Sequence, residues 1–505
     1  MPLPKETSVS LTTKNVGYSE NLEISRRNLL ALGLCSGATF MSITSFAKVP
    51  DKFDLETDIL SVGTGGAGLS AAVSARKSGF ERILVIDKAE VIGGNTLISS
   101  GLFNAVDPQR QKPLGIEDSY ELFESQILKE GDNLNDAPLV KAFSHKATET
   151  LHWLESLGMQ FKPEVEEGYG TLFPRCHIPI EPHGSGYIKV LSDYLIKNNV
   201  PIKRNCRLTQ IYREPENGKV IGCEVIDQGI KRPIKVNRAL FLGAGGFAQN
   251  DTMCALCDPR LKGLPSTNRP EANGDALQAA ISAGVSFKNL EFIECIPGKL
   301  PGRSERTVLH LFVGQMIWIN REGKRFVAED SRRDVLRESL LSLPERSCFA
   351  IVDKKGFDFL DKEHQEAINR GLARNEVYKA NSLEELARSM NTPAQATVET
   401  VERYNQFVEN GKDTDFGKKS LLHKISVPPF YACAQAMNRH YCAGGIRINS
   451  KTEVLDFSGA PIPKLYAGGE ITTGLHGSNR LGGNAIAEAM VFGREFGLTL
   501  KEKQA

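Results

Sequence analysis

The sequence predicts an α/β protein in which a parallel sheet carries an inserted α+β domain. From Asp58 onward, short apolar runs alternate with helical stretches, the pattern of parallel strands joined by crossover helices. The later apolar runs end in glycine-rich turns, and a middle segment changes to mixed strands and charged helices. The strands are predicted at 59–62, 83–86, 239–242 and 464–467, and the helices at about 67–78, 382–390 and 393–410. Because the strands come from such distant segments, the middle segment is predicted to be an insertion.

The chain is long enough for two or three folding units, since it has 505 residues and single cores stop growing at about 250–300 residues. We predict a leader, the first part of the sheet domain, an inserted domain and the second part of the sheet domain. Their bounds are 1–48, 55–290, 291–441 and 442–505.

Charge and cysteine usage exclude several partners. Lys plus Arg number 62 and Asp plus Glu number 61, so no overall positive field exists to attract nucleic acid or an anionic membrane. The ten cysteines are scattered, and only Cys254 and Cys257 form a CxxC pair. A zinc or iron–sulfur site would need further ligands, so we predict one turn of helix at this pair and no metal site.

The first 48 residues are predicted to be an export signal rather than part of the fold. Arg26-Arg27 precedes a mildly apolar run to Phe46 that is too short and too rich in Gly, Ser and Thr to span a membrane. Paired arginines before such a run are typical of twin-arginine signals, with 45–47 as the cleavage site. An ordinary tail with a chance arginine pair is the alternative. The signal predicts a periplasmic protein without a membrane span in its mature chain.

A dinucleotide-binding motif follows the first strand. Gly63-Thr64-Gly65-Gly66-Ala67-Gly68 opens the first helix, and Asp87 ends the next strand 19 residues after Gly68. Glycines in this pattern let the backbone turn sharply and approach a pyrophosphate at the helix N-terminus, while the acid binds ribose hydroxyls. Strand, helix and acid all fall in place, so we predict a Rossmann-type unit here.

Three further glycine-rich segments favour a long cofactor. They begin at Ile92, Gly243 and Tyr466, and the last continues into 476–485, His-Gly-Ser-Asn-Arg-Leu-Gly-Gly-Asn-Ala. Together these segments resemble the flavoprotein subunit of the fumarate reductase and succinate dehydrogenase family, most of all its soluble periplasmic flavocytochrome c branch. The resemblance covers about residues 55–500.

The resemblance implies a glutathione reductase-like FAD-binding domain with an inserted α+β capping domain. Closure of such a cap excludes water from a hydride-transfer site. The implied FAD contacts are Gly63, Gly65, Gly66, Ala67, Gly68, Asp87, Lys88, Gly93, Gly94, Asn95, Thr96, Ser100, Gly101, Ala244, Gly245, Gly246, Asp275, Gly469, Glu470, Arg480, Gly483, Asn484, Ala485 and Ile486.

The family's covalent flavin branch has a His before the glycine that corresponds to Gly101, where this chain has Ser99 and Ser100. A non-covalent FAD is therefore predicted.

Two arginines match the family's catalytic positions. Residues 320–327 match the family's turn inside the cap, and Arg333 shortly after it falls on the arginine that gives a proton to the substrate's α-carbon. Arg480 falls on the arginine that holds a substrate carboxylate, where a guanidinium fork stabilises negative charge away from water. A surface ion pair is the alternative for either residue.

The chain departs from the family where fumarate reducers hold a second carboxylate and feed protons to the donor. An ungapped alignment puts Ile296, Val308, Leu309 and Phe312 at the cap positions, and Tyr441 replaces the last histidine. Desolvating a second carboxylate among such groups would be unfavourable. We therefore predict a substrate with one carboxylate and an apolar or aromatic tail, such as an acrylate, methacrylate or cinnamate. The predicted substrate contacts are Ile296, Leu309, Phe312, Tyr441, Arg480 and Gly483, and the predicted catalytic residues are Arg333, Arg480 and Tyr441.

Several alternatives stay open at this point. A one-residue bulge could bring Arg303, Arg306 or His310 into register, which would restore a fumarate reductase. A flavin-dependent dehydrogenase of ketosteroid type is a weaker alternative, because Tyr441 could assist enolisation, and an electron-carrier flavoprotein is a further one. Glu329 or Asp330 could replace the missing proton relay, although a charged pair on a loop is more often solvated. The sequence has no haem or iron–sulfur motif, so a separate donor is predicted, a periplasmic or membrane-attached c-type cytochrome.

Overall fold

The computed structural model describes residues 47–504, except 168, 169, 171, 217, 304–308 and 310–312. The export signal predicted over 1–48 lies outside this range apart from its last two residues. The strands are β1 (Leu55–Val62), β2 (Ile83–Ile86), β3 (Phe103–Asn104), β4 (Phe161–Glu166), β5 (Cys176–Pro179), β6 (Ile202–Lys203), β7 (Cys206–Arg213), β8 (Val220–Asp227), β9 (Ile230–Leu242), β10 (Phe287–Lys288), β11 (Ile293–Gly298), β12 (Ile317–Ile319), β13 (Ser347–Val352), β14 (Val377–Ala380), β15 (Phe430–Cys442), β16 (Gly445–Arg447), β17 (Glu453–Leu455), β18 (Pro461–Ala467) and β19 (Thr472–Thr473).

The helices alternate with these strands in the first part of the chain and cluster between the later ones. They are α1 (Gly66–Lys77), α2 (Gly94–Ile98), α3 (Pro108–Gln111), α4 (Tyr120–Glu130), α5 (Ala137–Ser156), α6 (Ser185–Lys197), α7 (Asp251–Cys257), α8 (Asp275–Ser282), α9 (Arg333–Leu341), α10 (Lys354–Asp358), α11 (Lys362–Ala373), α12 (Leu383–Met390), α13 (Ala394–Asn410) and α14 (Asn484–Glu502). Cys254 and Cys257 both lie in α7. Among the described helices, none is both long enough and apolar enough to cross a membrane.

The main sheet has the strand order β17-β18-β9-β1-β2-β6, with β8 on β9 and β7 on β8. Strands β18, β9, β1, β2 and β6 are parallel to one another, whereas β17 is antiparallel to β18 and β8 is antiparallel to β9. Leu60 lies opposite both Leu84 and Leu240, and the side chains of β2 are all buried. Apolar residues on both faces are what a parallel sheet covered by helices requires. The predicted α/β class is confirmed.

Helix α14 packs directly on α1 because glycines remove the side chains between them. A Cβ on Gly493 would lie 2.5 Å from the carbonyl oxygen of Ala67, and one on Gly497 would lie 2.4 Å from the carbonyl carbon of Ser74. The two helices that begin at the predicted cofactor site are thereby fixed against each other.

A second, antiparallel sheet has the order β11-β15-β13-β12, with β14 also on β15. All its strands come from 293–442. Its buried face forms one apolar cluster with α12 and α13, which includes Phe349, Leu386 and Tyr404. Strand β15 crosses the domain boundary predicted at 441/442 by one residue. The boundaries themselves stay a prediction.

Candidate active site

The first glycine-rich turn brings three backbone segments into contact. Gly63 has a φ of +107°, and a Cβ there would lie 2.3 Å from the carbonyl oxygen of Gly243. A Cβ on Gly68 would lie 2.0 Å from the carbonyl oxygen of Gly63. No other residue type fits at these two positions without moving the backbone, so the ends of β1 and β9 are held at the start of α1.

The same turn leaves open space in front of α1. Gly65 is the N-cap residue and supplies no side-chain cap, and the nearest atom to a Cβ there would be 3.8 Å away. Gly245 has a φ of +74°, and a Cβ there would have no neighbour within 4 Å. Open space beside an uncapped helix N-terminus fits a diphosphate, because the free N–H groups and the helix dipole both favour an anion.

A cavity at the carboxyl ends of the strands continues from this turn. Its lining is Val62, Gly63, Asp87, Lys88, Cys206, Arg207, Leu208, Ala244, Gly245, Gly274, Asp275 and Ala276. The Asp87 carboxylate accepts hydrogen bonds from the backbone N–H groups of Thr64, at 2.7 Å, and Ala89, at 2.8 Å. Lys88 Nζ lies 3.0 Å from the Asp275 carboxylate. The cavity therefore brings together Asp87, Lys88, Ala244 and Asp275, four of the residues predicted to contact the cofactor.

The second glycine-rich segment lies against the start of α1. The backbone N–H of Gly66 donates to Thr96 Oγ1 at 3.0 Å, which ties α2 to α1. Gly93 has a φ of +112° and is followed by Gly94 and Asn95 at the start of α2. Gly101, next to Ser100, has a φ of +76°, and a Cβ there would lie 2.4 Å from the carbonyl oxygen of His183.

Glu470 lies in the fourth glycine-rich segment, which begins at Tyr466, and its carboxylate reaches the third, which begins at Gly243. Its carboxylate accepts a hydrogen bond from the Cys442 backbone N–H at 3.1 Å, and it follows Gly469, which has a φ of +77°. A Cβ on Gly246 would lie 2.5 Å from Glu470 Oε1, so the glycine makes room for the acid. Burial raises the pKa of Glu470 to about 7.

We expect FAD affinity to rise with pH through the pKa of Glu470. If ribityl hydroxyls donate to this carboxylate, FAD binding favours its ionised form and lowers its pKa. By linkage, FAD should then bind roughly tenfold more tightly at pH 8.5 than at pH 5.5. Titration of apoprotein with FAD by flavin fluorescence measures this change. Glu470→Gln should flatten the dependence and the exposed control Glu322→Gln should keep it; equal affinities at the two pH values in the unmodified protein would contradict the assignment.

The fourth glycine-rich segment forms the N-terminus of α14. Gly483 is the N-cap residue, with a φ of +78° and no side-chain cap. Asn104 fixes this turn by donating to the carbonyl of Gly482 at 2.6 Å and to Asn484 Oδ1 at 2.8 Å. Ala485 and Ile486 follow in the first turn of α14.

The two predicted arginines meet at one carboxylate. Arg333 Nη1 and Arg480 Nη2 each lie 2.8 Å from Glu294 Oε1. Arg333 is the first residue of α9, and Arg480 lies in the loop before α14. The three side chains are 12%, 5% and 7% exposed, in the order Arg333, Arg480, Glu294. The structure thus brings together two guanidinium groups that are 147 positions apart in the sequence (480 minus 333).

Glu294 belongs to a strand whose pairing aims it at the arginines. It lies directly opposite Tyr441 in the ladder between β11 and β15, so the two side chains are cross-strand neighbours. The guanidinium carbon of Arg480 lies 4.4 Å from the centre of the Tyr441 ring, within cation–π range. Burial opposes ionisation of Glu294, but Arg333 and Arg480 outweigh burial and lower its pKa to about 2.

The hydroxyl of Tyr441 has partners other than this ion pair. It donates to Glu488 Oε2, and it lies 3.3 Å from His476 Nε2, which is itself 3.1 Å from Glu488 Oε2. Burial raises the pKa of Tyr441 well above 10. The ring of Tyr441, rather than its hydroxyl, therefore contacts Arg480.

The apolar positions predicted from the alignment are only partly within the described residues. Ile296 is buried and follows Glu294 by two residues in β11, so it shares the face of the strand that carries Glu294. Leu309 is also buried. Val308 and Phe312 lie outside the described residues, as do Arg306 and His310.

The two acids considered as relay residues have other partners. Glu329 is fully buried and is bonded to Arg325 at 2.9 Å and to Lys418 at 3.2 Å, so the expectation of a solvated side chain is wrong for it. Asp330 accepts hydrogen bonds from the backbone N–H groups of Lys419 and Ser420.

A second ion pair fixes the start of α9 next to the loop that carries Arg480. Arg332 binds Asp132 with both terminal nitrogens, at 2.8 and 2.9 Å, and Ser478 donates to the same carboxylate. Asp132 is 49% exposed, and an exposed ion pair stabilises little by itself. The ion pair instead helps to position the two predicted catalytic arginines, because Arg333 directly follows Arg332 and Arg480 lies two residues after Ser478.

No sequence motif marks Glu294 or Glu488. The available signal was an acidic residue in a strand-like apolar run, Phe292-Ile293-Glu294-Cys295-Ile296, since a charge in such a run is buried only when it is paired.

Comparison with known proteins supports a cofactor site of this kind. The family model "FAD binding domain" matches residues 58–486. The chain is 36% identical to fumarate reductase (cytochrome) of Shewanella frigidimarina over 446 residues, which cover 86% of this chain and 76% of that protein. It is 27% identical to the acrylate reductase flavoprotein subunit of Shewanella woodyi, covering 93% of this chain and 97% of the other. The open conformation of a flavocytochrome c3 fumarate reductase superposes with a TM-score of 0.75 and 31% identity, over 89% of this chain and 78% of that one.

Proposed function

The chain belongs to the fumarate reductase and succinate dehydrogenase flavoprotein family, and from this premise we propose that it reduces the carbon–carbon double bond of an α,β-unsaturated acid with one carboxylate. It is an FAD-dependent oxidoreductase, and the predicted FAD-binding fold is confirmed. Relatives bear the names of reductases of fumarate and of acrylate. The question left for this chain is therefore which unsaturated acid it takes.

The observation that carries the proposal is the carboxylate shared by the two arginines. Arg333 and Arg480 bring two positive charges, and Glu294 between them brings one negative charge. The group has a net charge of +1, which one substrate carboxylate neutralises. A second carboxylate would have to lose its water near an acid that is already ionised, which is unfavourable in a buried site.

The neighbouring surface also suits one carboxylate. The side chain of Ile296 has no hydrogen-bond donor, and the Tyr441 hydroxyl already donates its hydrogen to Glu488. The Tyr441 ring therefore offers an apolar wall to the tail of an acrylate, methacrylate or cinnamate. Tyr441 was predicted both as a catalytic residue and as a substrate contact, and in this proposal it acts as a substrate contact through its ring.

Arg480 and Arg333 divide the chemistry between them. The glycine-rich turns around Gly65, Gly245 and Gly483 would hold FAD, which in its reduced form would supply the hydride that the substrate's β-carbon accepts. Arg480 holds the carboxylate with its guanidinium fork and stabilises the negative charge that develops there. Arg333 gives a proton from a terminal nitrogen to the α-carbon, which completes the saturated acid. Because a guanidinium gives up a proton only to a strong base, this transfer requires the electron-rich α-carbon that hydride addition creates.

The test is a panel of unsaturated acids offered to dithionite-reduced holoenzyme, scored by reoxidation of the flavin. We expect at least one of acrylate, methacrylate and cinnamate to exceed fumarate in kcat/KM by tenfold or more, the usual scale for a lost or unmatched charge contact. Propionate, which has no double bond, is the control and should give no reoxidation. If fumarate outpaces every mono-acid, the chain is a fumarate reductase, the second candidate, favoured by its likeness to the Shewanella frigidimarina enzyme.

We further propose a separate electron donor of the c-type cytochrome class. The sequence contains no Cys-x-x-Cys-His motif for covalent haem, and an exported enzyme would have no access to cytoplasmic NADH. The twin-arginine signal and the periplasmic location belong to the same proposal. A non-covalent FAD is part of the proposal as well: when the protein is denatured and filtered, the yellow flavin should pass into the filtrate.

A further inference from the structure

We infer that Glu294 is the residue that selects monocarboxylates over dicarboxylates, an inference that rests on the proposed function. The side chain is in direct contact with both guanidinium groups, through one oxygen. The role is one of substrate selection: Glu294 supplies a fixed negative charge where the second carboxylate of a di-acid would be brought in.

The charge of Glu294 is held in place, and the two arginines compensate it through one of its oxygens. Oε1 accepts from Arg333 and Arg480, whereas Oε2 is buried and has no hydrogen-bond partner among the described residues. A first substrate carboxylate neutralises the net charge of +1 on the group, so a second carboxylate brought beside Oε2 meets a repulsion that burial leaves weakly screened. A neutral tail at the same distance meets no such repulsion.

The position of this charge is fixed by the backbone. Glu294 lies in β11 opposite Tyr441, and the register shifts immediately afterwards, between Glu294 and Cys295. The extra residue is His440 on β15, because Tyr441 lies opposite Glu294 and Arg439 opposite Cys295, and such a bulge changes the local direction of the strand that carries Tyr441. Since Arg480 contacts both members of the pair, through the Glu294 carboxylate and the Tyr441 ring, the acid cannot leave without releasing the arginine.

The other ionisable groups around the pair leave this balance in place. Glu488 accepts a hydrogen bond from the Tyr441 hydroxyl and lies 3.1 Å from His476 Nε2. His440 bonds Thr267 Oγ1 through its Nδ1. Glu470 accepts from the backbone of Cys442 and belongs to the cofactor side. Glu294 is the acid among these that touches both Arg333 and Arg480.

The test compares two substrates of similar shape and different charge, fumarate and its monomethyl ester, on holoenzyme carrying Glu294→Gln. The amide keeps the size of the side chain and removes its charge. We expect the ratio of kcat/KM for the monoester to kcat/KM for fumarate to fall at least tenfold relative to the unmodified enzyme. Binding of succinate to the oxidised holoenzyme, followed by the change in flavin absorbance, should strengthen relative to monomethyl succinate.

The matched control is Glu291→Gln, which removes the same charge from an exposed turn three residues earlier and should leave both ratios unchanged. If Glu294→Gln fails to hold FAD, Glu294→Asp replaces it, since aspartate keeps the charge and the monoester preference should persist. An unchanged ratio in a flavin-loaded Glu294→Gln enzyme, or a preference lost in Glu294→Asp, overturns the inference. An unmodified enzyme that prefers fumarate overturns the proposed function instead, so the two failures are distinguishable.

Discussion

Arg333→Gln is expected to slow substrate-dependent reoxidation of the reduced flavin by about 10³-fold or more. Glutamine cannot supply the proton that the α-carbon requires, and loss of a positioned proton donor typically lowers rates by about 10²–10⁴-fold. Stopped-flow mixing of dithionite-reduced holoenzyme with the best mono-acid of the panel measures the effect. FAD content should be unchanged, because Arg333 belongs to α9 and not to the glycine-rich turns.

A conservative variant separates charge from geometry at the same position. Arg333→Lys keeps a positive charge beside Glu294 but loses the planar fork, so we expect a loss of about 10²-fold, smaller than for glutamine. Arg388→Gln, on the exposed side of α12, is the control and should leave the rate unchanged. Reoxidation at the normal rate in Arg333→Gln would mean that another group donates the proton.

The fold was accessible from the sequence because its signals are local. The turn at Gly63–Gly68 demands backbone contacts that only glycine permits, and the strands around it are short apolar runs. The predicted strand at 239–242 is the buried end of β9, which begins at Ile230. The exposed first part of β9 lacks the apolar pattern, so the pattern placed the strand's end correctly and its start too late.

The inserted sheet was harder to foresee because its strands pair across long separations. Strand β15 pairs with β11, β13 and β14, and nothing within one strand specifies three partners. Helix signals there were stronger: Ser382 caps α12 by accepting from the Glu385 backbone N–H at 3.2 Å, as its position before an amphipathic run predicts.

The difference between local signals and long-range strand pairing also explains why the sequence predicted the two arginines of the site but not Glu294. Arg333 and Arg480 each sit beside a recognisable motif, and the resemblance pointed to both. Glu294 has no motif, and it matters only because the ladder between β11 and β15 sets it opposite Tyr441. An ungapped alignment assigned Ile296 and passed over the acid two residues earlier. Pairwise contacts between strands, rather than residue type, decide such a position.

Arg480→Gln is expected to lower kcat/KM by about 10³-fold or more, with contributions from both KM and kcat. KM should rise because the substrate carboxylate loses its guanidinium fork. The kcat should fall because charge on that carboxylate grows during hydride transfer, so the lost contact is stronger in the transition state than in the ground state. Steady-state kinetics with the best mono-acid give both parameters, and binding of its saturated analogue to oxidised holoenzyme gives affinity separately.

The variant also leaves Glu294 short of a partner, and this structural effect must be separated from the chemical one. Glu294 stays paired with Arg333 at 2.8 Å, so we expect the loss of thermal stability to be well below the roughly 3–5 kcal/mol that an unpaired buried charge costs. The double variant Arg480→Gln/Glu294→Gln removes the acid and leaves Arg333 without this partner. We expect it to be less thermostable than Arg480→Gln, and kcat/KM should stay low in both variants, since no fork returns to hold the carboxylate. If the double variant recovered activity, Arg480 would be a support for Glu294 and Arg333 rather than the group that binds substrate, and the division of roles between the two arginines would have to be reversed.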